Sequence, residues 1–154
     1  MKKMRMIIMI LMCMAIAGQP ALAAASNAKA YARGYYNANL SYQVVMQVNA
    51  ERAKYGLPGL RMDAELNRAA EVRAEEIVRK FSHTRPDGSK WSTVSKSAYG
   101  ENIAKGQRTA DKVMAAWLTS SGHRANMLRA SYGSIGVCAY VYNGVTYWVQ
   151  LFGK

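Results

Sequence analysis

Two long apolar runs flank a single Asn143-Gly144 pair near the C-terminus: SIGVCAYVY precedes it and VTYWVQLF follows it. Asn-Gly favours the two-residue turn of a β-hairpin, so the runs predict two adjacent antiparallel strands. A strand with one solvated face alternates apolar and polar side chains, whereas these runs are apolar at almost every position. Both faces of the sheet must therefore be covered by helices. We predict an α+β fold, a three-layer α-β-α sandwich with a small central antiparallel sheet.

Three segments with helical periodicity are candidates for the outer layers. The first spans residues 41–55 and is stopped by the Gly-Leu-Pro that follows it. The second follows the N-cap candidate Asp63, and the third follows Thr109. Gly122 is expected to break the third helix, which leaves residues 123–128 as a short further helix that begins with a histidine.

The segment between the second and third helices is predicted to hold a loop and a strand. Residues 81–97 contain a Pro-Asp-Gly turn, and Trp91 is expected to fold back from this loop onto the core. Residues 99–104 complete the sheet, with Gly100 and Asn102 assigned to the turn at the strand.

The first 23 residues have the three parts of a secretory signal peptide. A basic start is followed by a short apolar run at residues 6–16, and Ala21-Leu22-Ala23 is a small-x-small cleavage signal. The run is well short of the ~20 residues that a spanning helix needs, although uncleaved segments of this kind can tether a protein. We expect a secreted or periplasmic protein, with residues 24–39 as a linker or loose arm and residues 40–154 as the folded domain.

The chain is strongly basic, with 21 basic and 9 acidic residues and a formal net charge of +12. A basic exported protein is attracted to anionic surfaces such as phospholipid headgroups or wall polymers. The basic residues are scattered rather than clustered, and no nucleic-acid-binding motif of recognised spacing is present. We therefore expect a solvated basic surface and no specific nucleic acid partner. That surface is expected to include Lys54, Arg52, Arg61, Arg68, Arg73, Arg79 and Lys80.

Cysteine usage excludes an internal disulfide in the mature chain. One of the two cysteines, Cys13, lies in the signal segment, so cleavage leaves Cys138 alone. Its flanks, IGV and AYV, are apolar. We expect Cys138 to be a small buried hydrophobic residue rather than a nucleophile.

Histidine occurs at only two positions, and both lie beside turn-forming residues. His83 is in FSHTRPDG and His123 is in SSGHRANML, with Glu101 in YGENIA between them in the chain. Two imidazoles and a carboxylate can hold Zn²⁺ with an open position for water, which the metal would acidify into a nucleophile. These three residues therefore form a candidate site.

The same motifs, taken in order, resemble the CAP superfamily of cysteine-rich secretory proteins, antigen 5 and pathogenesis-related 1 proteins. The resemblance covers residues 41–153. Within this superfamily the chain is similar to the compact bacterial SCP-like branch. The motifs on which the resemblance rests are VNAERAKYGLPGLRMDAEL, FSHTRPDG, YGENIAKG, AAWLTSSGHRANML, IGVCAYVY and YWVQLFG.

The resemblance implies a central cleft in which some family members hold a divalent metal. The matching positions are His83, His123 and Glu101, and Zn²⁺ is the cofactor implied. Many eukaryotic members carry a second glutamate where this chain has Ser120. A hydroxyl can hydrogen-bond a ligand or a histidine, but it is a poor Zn²⁺ ligand and no general base.

Three classes of function stay open. The first is a non-enzymatic exported module whose cleft binds a lipid, a sterol-like molecule or an envelope polymer, as the resemblance implies. The second is a metal-assisted hydrolase of peptide or envelope material, with Glu101 as ligand or base. The third is a basic surface adhesin with a structural cleft, in which Glu101 accepts hydrogen bonds from His83, His123 and Asn126.

Overall fold

The computed structural model describes residues 34–154, so the signal peptide assignment and most of the linker lie outside the described residues. The described part contains four α-helices, one 3₁₀ turn and a five-stranded sheet. In chain order the elements are β1 (Tyr35–Tyr36), α1 (Ala38–Ala53), β2 (Arg61–Met62), α2 (Ala64–Arg79), the 3₁₀ turn (Trp91–Val94), β3 (Gly100–Lys105), α3 (Ala110–Thr119), α4 (Ser121–Met127), β4 (Ser134–Tyr142) and β5 (Val145–Gly153).

The C-terminal hairpin forms the centre of the sheet, as the sequence predicted. β4 and β5 pair antiparallel over their whole length, from Ser134 opposite Gly153 to Tyr142 opposite Val145. Asn143 and Gly144 form the turn with φ angles of 48° and 74°, the left-handed values that an Asn-Gly turn requires. The sheet order is β1-β4-β5-β3, and the short β2 pairs parallel with β4.

Helices cover both faces of this sheet, so the α-β-α sandwich is confirmed. Alternate residues of β4 point to opposite sides: Ile135 and Val137 pack in the cluster with α1, α3 and α4, whereas Cys138 packs with α2. Gly136 lets α2 approach β4, because a Cβ at this position would collide with the backbone of Leu66. The apolar character of both strands follows from this double cover.

The starts predicted for α2 and α3 are confirmed, whereas α1 begins at Ala38 rather than at residue 41, and two further predicted boundaries need correction. Asp63 and Thr109 cap α2 and α3 through hydrogen bonds to backbone amides of the first turn. The break between α3 and α4 lies at Ser120 rather than Gly122, since extended backbone there ends one helix and begins the next. Residues 35–39 are not linker: β1 pairs with β4, and the Asn37 side chain caps α1.

The edge strand β3 is fixed by side chains from other elements. The backbone carbonyls of Tyr99, Glu101 and Ile103 accept hydrogen bonds from Tyr132 Oη, Asn126 Nδ2 and Trp117 Nε1 at 2.8, 3.2 and 3.4 Å. These bonds satisfy carbonyls at alternate positions of the edge. They also fix β3, and with it the Glu101 side chain, against α3, α4 and the segment that follows α4.

Candidate functional site

A cleft of about 530 Å³ opens at the start of β3. The 81–97 loop contributes one wall, and the segment after α4 contributes the other. Trp91 also packs on the core under the loop, as the sequence predicted. Most of the lining side chains are polar or charged. The lining residues are His83, Trp91, Tyr99, Gly100, Glu101, Asn126, Arg129, Ser131, Tyr132 and Lys154.

Glu101 lies at the base of this cleft with a fully buried side chain. Its carboxylate accepts from Arg73 twice, from Nε at 2.7 Å and from Nη2 at 3.3 Å. His83 Nδ1 lies 2.7 Å from the other side of the carboxylate, and its ring is 53% exposed. Both carboxylate oxygens are therefore engaged by nitrogen partners.

Arg73 is the residue that the sequence interpretation missed. Its side chain is fully buried rather than part of the solvated surface, and it also donates to Glu76 at 2.6 Å and to the Ser82 carbonyl at 2.8 Å. Burial alone would lower the pKa of Arg73, but hydrogen bonds with Glu101 and Glu76 outweigh it and raise that pKa. A signal was present in the sequence, because Arg73 falls on the apolar stripe of α2 with Leu66, Ala70 and Ile77.

The ion pairs continue from Arg73 to the 81–97 loop. Glu76 accepts from Arg85 Nη2 at 2.7 Å as well as from Arg73. Burial would raise the pKa of Glu76, but its hydrogen bonds with the two guanidinium groups hold it below the ordinary value. Arg85 in turn donates to Thr93 at 3.1 Å. This network fastens the loop that carries His83 to α2.

His123 lies on α4, the helix whose Asn126 lines the cleft. It is half-buried on α4 and is not among the residues that line the cleft, and its backbone carbonyl accepts from Asn102 Nδ2 at 3.0 Å. Burial, and secondarily the proximity of His83, lower the pKa of His123, so its ring is neutral at pH 7. Ser120 is half-buried at the junction of α3 and α4, and it too is outside the cleft lining.

Asn126 and Asn102 belong to a buried amide network rather than to a turn. Asn126 Nδ2 donates to Asn102 Oδ1 at 2.9 Å, and Asn102 Nδ2 donates to Gln150 Oε1 at 2.9 Å. Asn102 and Gln150 are fully buried in β3 and β5. The assignment of Asn102 to the turn at the strand is therefore corrected: its side chain ties the sheet to α4.

Arg52 is a second buried arginine that the sequence assigned to the surface. It donates to four backbone carbonyls, those of Pro58 at 2.8 Å, Met127 at 2.9 Å, Arg129 at 3.0 Å and Tyr132 at 3.3 Å. Burial lowers the pKa of Arg52. The Arg129 and Tyr132 carbonyls belong to the segment that forms one wall of the cleft, and Met127 is the helix residue just before it, so Arg52 fixes this wall from behind.

The donor set at the cleft does not fit a Zn²⁺ site as it stands. Within residues 34–154, no group of three His, Cys, Asp or Glu side chains is placed to hold a metal ion. A cation at Glu101 would have to compete with Arg73, which already supplies a buried positive charge to this carboxylate. Zn²⁺ binding by His83, His123 and Glu101 stays a prediction that a metal titration can test.

Cys138 is buried and unpaired, as the sequence predicted. Burial, with a smaller effect from Glu71 and Glu75, raises the pKa of its thiol far above the ordinary value. A thiol that stays protonated in the core is a poor nucleophile.

Among the described residues, no helix is long and apolar enough to cross a membrane.

Comparison with known proteins identifies the family. The model of the CAP family, described as the cysteine-rich secretory protein family, matches residues 45–152. The chain belongs to the CAP family. The resemblance inferred from the motifs is thereby confirmed, and the fold agrees with it.

Several bacterial proteins are similar to this chain in sequence or in fold. The uncharacterized protein YkwD of Bacillus subtilis (strain 168) is 39% identical over 120 residues, which span 73% of this chain and 46% of that relative. An outer surface protein of Borrelia burgdorferi has the same fold with a TM-score of 0.69 and 22% identity, covering 79% of this chain and 98% of that one. An extracellular SCP-domain protein of Bacillus anthracis aligns with a TM-score of 0.67 and 25% identity over 75% of this chain and 40% of that one.

Proposed function

We propose that this CAP chain is an exported, non-enzymatic binding module whose cleft beside His83 takes up a ligand of the cell envelope. Export is supported by the signal-like N-terminus and by the extracellular SCP-domain protein of B. anthracis among its structural neighbours. An envelope ligand is favoured over a sterol because Glu101, Arg129 and Lys154 bring charged side chains into the cleft lining.

The observation that carries the proposal is the engagement of Glu101. A general base needs a free lone pair toward the substrate, and a metal ligand needs one toward the ion. Three of the roughly four lone-pair positions of the Glu101 carboxylate are taken by Arg73 and His83, and the side chain itself is fully buried. This geometry supports a structural carboxylate below an open cleft and gives little support to hydrolysis.

Calorimetric titration of Zn²⁺ into the mature chain at pH 7 tests the hydrolase alternative. We expect no one-to-one binding in the micromolar range, because Zn²⁺ would have to displace the buried Arg73 guanidinium from Glu101. His83→Ala and His123→Ala give the background heat. Micromolar binding that both variants abolish would contradict the proposal and favour a metal-dependent hydrolase.

Filling the cleft tests the binding function directly. Ser131 is exposed in the cleft lining, so Ser131→Trp places an indole in the space where a ligand would lie. We expect this variant to cosediment with Bacillus subtilis cell walls about tenfold more weakly than wild type, a loss of about 1.4 kcal/mol. The matched control is Ala115→Trp, at an exposed position of α3 outside the cleft.

Equal sedimentation of the two tryptophan variants would show that the cleft is not the binding site. The basic adhesin would then be the better description, because attraction by the whole basic surface does not depend on one cleft. Circular dichroism of both variants establishes that neither substitution has unfolded the chain.

A further inference from the structure

Two cations in the cleft lie on aromatic rings rather than on carboxylates. The Arg129 guanidinium lies over the Tyr132 ring at 5.4 Å, and the Lys154 ammonium lies over the Tyr99 ring at 4.4 Å. Neither forms an ion pair with any carboxylate of residues 34–154. Each cation is held on an aromatic face with its charge available to a ligand.

The rest of the lining does not neutralise these charges. Glu101 is the single acidic side chain in the lining, and its charge is balanced from below by the buried Arg73. An α-carboxylate at Lys154 would offset only one of the two cations, so the lining keeps a net positive charge. The Ser131 hydroxyl is exposed beside the cations and can donate a hydrogen bond. The potential in the cleft is therefore positive, with a neutral donor next to it.

We propose that the cleft binds the phosphate or carboxylate group of an anionic ligand through Arg129 and Lys154. The inference rests on the proposed function and names the chemistry of its ligand. A guanidinium presents two parallel N–H donors that match either anion, while an ammonium adds a point charge. The aromatic rings beneath them restrict both side chains before binding, which reduces the entropy that binding costs.

The test is a titration of anionic probes into the mature chain at low salt, with binding measured from the shifts of its backbone amide NMR signals. The probes are inorganic phosphate, a polyglycerol phosphate chain and phosphatidylglycerol vesicles, which separate a free anion, a wall polymer and a lipid headgroup as sources of the group. Neutral dextran is the uncharged comparison. For the anionic probe that binds most tightly, we expect Arg129→Gln/Lys154→Gln to weaken binding about tenfold or more, since hydrogen bonds to charged groups are among the stronger ones.

A matched control removes the same charges elsewhere. Arg108 and Lys112 are exposed and follow the end of β3 opposite to the cleft, so Arg108→Gln/Lys112→Gln has the same net charge as the cleft variant. We expect this control to bind like wild type. Equal losses in the two double variants, or equal binding of dextran, would overturn the inference because the affinity would then be non-specific.

The failure of this inference is distinguishable from the failure of the proposed function. If Ser131→Trp abolishes wall binding while Arg129→Gln/Lys154→Gln leaves it intact, the cleft binds a ligand that is not recognised by its charge. The anion proposal then fails and the binding module stands. If neither variant changes wall binding, both proposals fail.

Discussion

Arg73→Met is expected to lower the free energy of unfolding by about 3–5 kcal/mol. The substitution leaves the Glu101 carboxylate buried without its guanidinium partner and also removes a donor from Glu76 and from the Ser82 carbonyl. An unpaired buried charge costs far more than the net value of the pair that it breaks. Urea unfolding at pH 7, followed by circular dichroism, measures the change as a shift of the midpoint at constant slope.

Two variants isolate the ion pair as the cause. Arg79→Met changes an exposed arginine of the same helix and is expected to alter stability by no more than about 0.5 kcal/mol. Arg73→Met/Glu101→Gln removes both charges, so we expect it to be more stable than Arg73→Met alone. If Arg73→Met were as stable as Arg79→Met, the engagement of Glu101 would not hold in solution, and the carboxylate would be free for a metal.

The fold could be predicted from the sequence because its signals are local. The hairpin rests on one Asn143-Gly144 pair between apolar runs, and the helix starts rest on single capping residues such as Asp63 and Thr109. Each of these acts within a few residues of its own position. β1 was missed because two residues pair with β4 only through long-range geometry, without any periodicity of their own.

The site could be predicted only in part, because its contacts join distant segments. In the structure His83 contacts the Glu101 carboxylate, whereas Asn126 reaches the backbone carbonyl of Glu101 rather than its carboxylate. The partner of that carboxylate, Arg73, lies 28 residues away on another element. Arginines on a helix are usually solvated, and only the position of this one on an apolar stripe distinguishes it.

Arg52→Met is expected to lower the free energy of unfolding by a similar amount, about 3–5 kcal/mol, for a different reason. Arg52 is a buried cation whose hydrogen bonds all go to backbone carbonyls, at Pro58, Met127, Arg129 and Tyr132. Methionine fills most of the volume but leaves these carbonyls without donors, and each buried unsatisfied group costs about 1–3 kcal/mol. Urea unfolding measures the loss.

Amide hydrogen exchange tests whether Arg52 stabilises the cleft wall specifically or the core as a whole. Two of its four acceptors, Arg129 and Tyr132, lie in the cleft wall, and a third, Met127, ends the helix before it. The backbone amides of residues 127–133 are therefore expected to exchange hydrogen faster in Arg52→Met, by more than the amides of the β4–β5 hairpin. Arg61→Met, an exposed change on β2, is the matched control and should leave both measurements near wild type. Uniformly faster exchange would mean that Arg52 stabilises the whole core and does not specifically hold the wall. Faster exchange confined to the wall would show that the buried Arg52 holds the backbone of Arg129 in place. Anion binding should then weaken in Arg52→Met although the chain remains folded.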